Sequence, residues 1–323
     1  MSFPYANFDA GGDTDLNVTG IDNNILVKDS NGVITSTFLK NNELRGSIDF
    51  AEHINIVGLG TTAGYTTSFQ IEDDSVRIGK SPSVSTGQNN IAIGADAQGT
   101  GNFGTAIGYQ TRANSASSTA LGQQCVASSL YAVALGSGCT ASGTSSCSVG
   151  TTSTASGANS FALGTSATAT GIRSLSIGNS TNESGTTDSI AIGTGVLNLS
   201  NVTNAISIGK GSICKTLNGI AIGNTALVNT NSADGIAIGR VSNAQAINAI
   251  AIGLGNITAA DNGICLGGSN TMNTGAYDGI LLGVISNINA DCFRSIVIGY
   301  NSLSAAINSI CIGENARDRK SVV

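Results

Sequence analysis

Between residues 76 and 313 the chain keeps returning to one short pattern: aliphatic, small, aliphatic, glycine. Ile91-Ala92-Ile93-Gly94, Ile190-Ala191-Ile192-Gly193 and Ile250-Ala251-Ile252-Gly253 are typical copies. The motif glycines are 79, 94, 108, 122, 136, 150, 164, 178, 193, 209, 223, 239, 253, 267, 283, 299 and 313, so there are seventeen copies at intervals of 14, 15 or 16 residues. The alternation inside each copy has period two, which predicts a strand and places the two aliphatic residues on one face and the small residue on the other. A weaker alternation follows three and five residues after the glycine, as in Cys125/Ala127, Cys139/Ala141, Ala167/Ala169 and Ala226/Val228. Each unit therefore predicts two short strands and two turns, with glycine supplying the positive φ of a sharp corner.

A unit of about 14 residues is too small to fold alone. Stacking solves this, because each coil then pairs its strands in parallel with the coils above and below. Sixteen intervals at strand spacing predict a stack roughly 75 Å long. Gly94, Gly108, Gly122, Gly136, Gly164, Gly193, Gly223 and Gly253 are the expected repeat corners. The aliphatic pair is expected to fill the narrow interior. The small-residue row, Ala92, Ala106, Ala120, Ala134, Ala162, Ala191, Ala221, Ala237 and Ala251, is then left as a smooth uncharged strip and is expected to be a subunit interface. The longer units, which cluster after Gly178, are expected to push their extra residues out as loops, Asn198 among them.

The N-terminal stretch is different. Sixteen of the 34 charged residues lie in the first 80 positions and only 13 in residues 81–313. Ile25-Leu26-Val27 and Val33-Ile34 flank the turn signal Asp29-Ser30-Asn31-Gly32, which predicts a hairpin. Residues 1–75 are accordingly expected to form a β-rich attachment or capping region, 76–313 the repeat domain, and 314–323 a charged tail.

Composition narrows the function. Charged residues make up 11%, the net charge is −6, and there are one His, no Trp and two Pro. Glycine is abundant without the every-third spacing or the proline of collagen. Fourteen basic residues in a mildly acidic chain offer little to a nucleic-acid backbone, so no nucleic-acid partner is expected. No stretch reaches the roughly 18–20 apolar residues of a membrane-spanning helix, and no membrane insertion is expected. Met1-Ser2-Phe3-Pro4-Tyr5 lacks the basic start and apolar run of a secretory signal, which leads to the expectation of synthesis in a cytosol. Seven cysteines make an odd and scattered set, better read as buried thiols than as a disulfide framework.

Ser189-Ile190-Ala191-Ile192-Gly193, Asn248-Ala249-Ile250-Ala251-Ile252-Gly253 and Asn90-Ile91-Ala92-Ile93-Gly94 resemble the head repeats of trimeric autotransporter adhesins, the YadA-like heads. The resemblance covers residues 76–313. It implies an all-β, left-handed parallel β-roll, a β-solenoid of about 14-residue coils, three of which pack as a homotrimer. Similar repeats also occur in fibre and tail proteins of viruses and phages, which assemble in a cytosol.

Candidate chemistry is sparse. Asp13, Asp15 and Asn17 have the alternate spacing of a calcium loop, but Val18 and Asn24 stand where its glycine and bidentate acid belong. Gly79-Lys80-Ser81 echoes a phosphate loop whose first glycine is replaced by Asp74. His53, the single histidine, has Glu52 beside it and reads as a surface or turn residue. The repeat carboxylates Asp96, Glu183, Asp188, Asp234, Asp261, Asp278 and Asp291 are expected at different coil phases without a stacked pair. Cys125 and Cys139 are expected to stack one coil apart, with two thiols favoured over a bond. Cys265 and Cys311 take the small-residue position. Sequons stand at Asn17, Asn179, Asn182, Asn198, Asn201 and Asn256.

No catalytic residue, metal site or cofactor is expected. The leading expectation is a structural, non-enzymatic homotrimeric fibre or spike on a virion surface, attached to a larger assembly through residues 1–75 and displaying a surface to a host glycan or protein receptor. The alternative is the passenger head of a bacterial adhesin on the cell surface. An ice-binding solenoid and a trimeric polysaccharide-degrading solenoid rank below both.

Overall fold

The computed structural model describes residues 89–318 throughout, together with 75–80, 82–84 and the strands Ile25–Lys28, Ile34–Lys40, Glu43–Leu44, His53–Leu59 and Thr66–Glu72. Every element assigned among them is a strand. The chain forms two compact units, residues 1–52 and 53–323. In the first, Ile34–Lys40 pairs antiparallel with Ile25–Lys28 on one side and Glu43–Leu44 on the other. The first of these pairings is the predicted hairpin.

The second unit is a parallel β-solenoid of about 16 turns. It starts antiparallel: His53–Leu59 pairs with Thr66–Glu72, which pairs with Ser75–Lys80. Ser75–Lys80 then runs parallel to Ile91–Ile93, and every later pairing is parallel. An antiparallel hairpin thus covers the first edge of the coil stack, which would otherwise present open backbone groups.

One coil shows the path. The strand Thr119–Gln123 bends at Gly122 (φ 117°), and Gln124 takes a left-handed conformation (φ 53°). The chain returns through Val126–Ala127 and closes a β-turn in which Ala132 N–H donates to Ser129 O at 3.1 Å, with Tyr131 at φ 57°. Val133–Ser137 then begins the next coil, in register with Thr119–Gln123. Glycine stacks on glycine at 108, 122, 136, 150 and 164.

That stacking explains the most regular feature of the sequence. The expected corners Gly94, Gly108, Gly122, Gly136, Gly164, Gly193, Gly223 and Gly253 all have φ between 117° and 137°. A Cβ on Gly108 would lie 1.8 Å from the carbonyl oxygen of Gly122 in the next coil. Both the dihedral and the close approach exclude a side chain.

The two faces of the motif strand are the reverse of the sequence expectation. Ala92, Ala106, Ala120, Ala134, Ala162, Ala191, Ala221, Ala237 and Ala251 are all 0% exposed in the single chain. They point into the coil, and a residue with no surface of its own cannot meet a partner, so they are core and not a subunit interface. Cys265 and Cys311 share that inner row. The flanking aliphatics point outward. The physical reason is width: two short strands joined by tight turns leave an interior for Ala, Ser, Cys and Gly, so larger side chains must stand outside.

Coil length sets that width. Five residues after the motif glycine, the 14-residue coils carry small buried residues such as Ala113, Ala127, Ala141, Ala155, Cys214 and Ala244. The 16-residue coils carry Asn198, Val228, Met272 and Ile288 at the same place, all 0% exposed. The inward corner residue stands seven after the glycine in 14-residue coils, as Ala246 and Ala260, but nine after it in 16-residue coils, as Val202, Ser232, Ala276 and Cys292. The two extra residues therefore widen the coil and do not form an excluded loop. Asn198, expected on a loop, is interior: its amide donates to Asn182 Oδ1 at 2.7 Å and to Ile190 O at 2.9 Å, and its Oδ1 accepts from Ser207 Oγ at 2.7 Å.

Candidate assembly and binding surfaces

Two aliphatic columns run along the outer face of the motif strands. One residue before each glycine stand Ile93, Ile107, Leu121, Leu135, Val149, Leu163, and so on to Ile312; three before stand Ile91, Val133, Phe161, Leu175 and Ile190 through Ile310. Stacked neighbours cover their sides and leave their tips in solvent: Leu163 is 38% exposed, and in the last coil Ile310 and Ile312 reach 68% and 66%. Thr105, Thr119 and Cys147 are the members of the second column that are neither aliphatic nor aromatic. A monomer would carry this as one continuous apolar strip, larger than soluble proteins normally expose.

A polar ladder marks the corner five residues before the glycine. Its members take positive φ, and most are Asn or Asp, the non-glycine residues that tolerate it best. Asn204 donates to Asn218 at 2.9 Å and Asn218 to Asp234 at 2.8 Å; Asn248 donates to Asn262 at 2.9 Å and Asn262 to Asp278 at 3.0 Å. Arg173 makes a two-pronged pair with Asp188, Nε–Oδ1 2.5 Å and Nη2–Oδ2 2.7 Å. That hydrogen bond holds the Asp188 carboxyl below the ordinary carboxylate range.

Asp188, Asp234 and Asp278 consequently share one column, which corrects the expectation that the carboxylates occupy different phases. No two of them are in adjacent coils. Asp261 Oδ1 accepts from Ile247 N–H at 3.0 Å and Glu183 Oε2 from Ser200 N–H at 2.9 Å, so both tie backbone corners. Among the described residues no group of three or more His, Cys, Asp or Glu is arranged to hold a metal ion, and no helix is long and apolar enough to cross a membrane. Asp13, Asp15, Asn17 and the side chain of His53 lie outside the described residues.

No disulfide joins any of the seven cysteines. Cys125 and Cys139 stack in the interior, donating to Gly136 O at 3.1 Å and Gly150 O at 3.0 Å. Burial pushes the Cys125 thiol up, and it pushes Cys265 up to about 11. Of the sequon asparagines, Asn182, Asn198 and Asn256 are completely buried and closed to glycosylation in the folded chain.

Residues 85–111, 113–138, 141–167, 159–181 and 231–256 match the model of the YadA head domain repeat. The coils in these segments are YadA-like head repeats. Among curated proteins none matches the chain. YadA-like head repeats mark an adhesin-like, surface-exposed fibre, and such heads are typically homotrimeric. The glycine column, legible from spacing, and the outward aliphatic pair together account for the invariant part of the YadA-like unit here. The Asn/Asp ladder was missed; its signal was positional, since a residue five before the glycine is Asn or Asp in most distal coils.

Proposed function

We propose that the protein is a homotrimeric, non-enzymatic fibre or spike on a virion surface, attached to a larger assembly through its N-terminal region and used for host attachment. The observation that carries the trimer is the outward pair of aliphatic columns. It replaces the alanine row as the subunit contact, because it offers continuous apolar area that only association removes from water. The YadA-like repeats support the same reading. The virion setting is supported by the thiols: seven cysteines without a disulfide suit assembly in a reducing compartment, whereas export through an oxidising one favours bonding. The bacterial cell surface is the alternative location. Absence of turnover is part of the proposal, since 13 charged residues in 233 leave few groups for acid–base chemistry.

Light scattering on the full chain tests the assembly, with three times 32.1 kDa expected. A stable monomer at micromolar concentration defeats it. Immunogold labelling of the native source decides between particle and cell envelope.

A further inference from the structure

Phe103 and Tyr131 break the rule of their column. Both stand five residues before a motif glycine, where the chain takes positive φ (59° and 57°) and where the distal coils place Asn or Asp. A bulky aromatic in this region is a conformational outlier. Neither ring is repaid by burial, because Phe103 is 58% exposed and Tyr131 57%. The sequence accepts backbone strain twice in order to hold an aromatic residue in solvent, the combination expected where a site has been built at the expense of stability.

The spacing of the two residues is fixed by the coils. Ser117 N–H donates to Asn102 O at 2.7 Å, Tyr131 N–H to Ala116 O at 3.1 Å and Ser145 N–H to Leu130 O at 2.8 Å, so positions 103, 117, 131 and 145 form one vertical column. The order along it is aromatic, Ser, aromatic, Ser. Two coils separate the aromatics, roughly 10 Å at strand spacing. That distance is close to the repeat of an extended β-1,4-linked disaccharide, in which alternate sugar faces meet a surface. Ser117 and Ser145 place hydroxyls within the column, the exposed Asn159 continues it one coil further, and the exposed Asn102 stands beside it. Between Asp96 and Arg173 the only charged residue is Arg112, so the region lacks the cluster of basic groups that would select an anionic ligand.

We propose that Phe103 and Tyr131 form a stacking platform for an extended, neutral, β-linked polysaccharide strand running along the coil axis. The two aromatics each take the apolar face of alternate sugars, and the intervening serines meet the hydroxyls of the sugar between them. A proline-rich strand is the lesser fit, because it docks in grooves walled by paired aromatics, and the neighbouring column here is Asn102, Ala116, Leu130 and Thr144. The proposal rests on the reading of the chain as an attachment fibre and names the ligand class for that role.

The test uses the full chain in its native assembly, with cellohexaose and chitohexaose as neutral probes, an oligogalacturonate as the anionic control and a proline-rich peptide as the competing class. Phe103→Asn, Tyr131→Asn and the double variant install the residue type the distal column prefers. We expect binding of at least one neutral hexasaccharide, a tenfold or greater loss in the double variant, and an unfolding temperature that stays the same or rises. Three results overturn the proposal: no binding of either neutral probe, binding unchanged in the double variant, or binding of the peptide or the oligogalacturonate alone. Oligomeric state and particle labelling are measured separately, so failure here is distinguishable from failure of the fibre reading.

Discussion

Val241 stands two residues after a motif glycine with φ 61° and 53% of its surface exposed. In the same column Gly138, Gly195, Gly211 and Gly255 occupy the left-handed region, and Asn301 and Asn315 occupy it with a polar side chain. A β-branched residue there is strained by roughly 1–2 kcal/mol. Val241→Asn should therefore raise stability by about 1 kcal/mol, seen as a higher thermal midpoint. Gly108→Ala should do the opposite. Its positive φ alone costs roughly 1–3 kcal/mol for a residue with a Cβ, and the overlap with the Gly122 carbonyl adds to it. If both variants melt with the wild type, the assigned corner conformations are wrong. Cys265 gives a pH dependence at the same scale. Desolvation raises its thiol from 9.0 to about 11, so the folded state prefers the neutral form. The contribution is fully present below pH 9 and is lost as the pH climbs from 9 to 11, because the unfolded chain ionises first. The loss should reach about 2–3 kcal/mol, read as a falling denaturant midpoint over that window. Cys265→Ala should flatten this part of the profile.

At the scale of the coil, length and interior volume are coupled, and this coupling separates what could be read from the sequence from what could not. The positions of the strands and glycines were legible because spacing alone fixes them. The direction of each face was not. Period two divides Ile220, Ala221 and Ile222 between two faces without saying which is inside, and the usual preference for burying the larger apolar residue pointed the wrong way. Fourteen residues arranged as two short strands enclose space for small side chains, so geometry overrides that preference. Asn198 misled for a related reason: a polar residue in a longer unit looks like a loop, yet the wider coil takes it inside and satisfies its amide. The coupling makes a reciprocal prediction. Met272→Ala, in a 16-residue coil, should leave a cavity and cost about 2–5 kcal/mol. Ala113→Met, in a 14-residue coil, should overpack and cost about 1–3 kcal/mol or more. Met272→Leu should be close to neutral. Calorimetry of the three variants decides the matter, and tolerance of Ala113→Met would mean the narrow coils have room that the structure does not show.

For the molecule as a whole, the remaining question is what covers the aliphatic columns. Ile222 lies in the column next to the glycines, outward-facing and half-buried by its stacked neighbours Ile208 and Ile238. If three chains close around this face, Ile222→Glu places three carboxylates in a dry contact. Each uncompensated charge there costs several kcal/mol, and association should fail while the coils, whose interior is untouched, stay folded. Thr154→Glu, on the outer face of the return strand, is the control and should leave the trimer intact. Cys147 supplies an independent probe, because it is the one cysteine of the outward column, between Val133 and Phe161. Its thiol should resist alkylation in the assembled protein and react at least tenfold faster in the Ile222→Glu variant. The six other cysteines, buried inside the coils, should stay protected in both. Sedimentation or light scattering gives the mass and mass spectrometry the labelled site. Wild-type mass in the Ile222→Glu variant, with Cys147 equally reactive in both proteins, would place the subunit contact on another face and leave the apolar strip to some other partner.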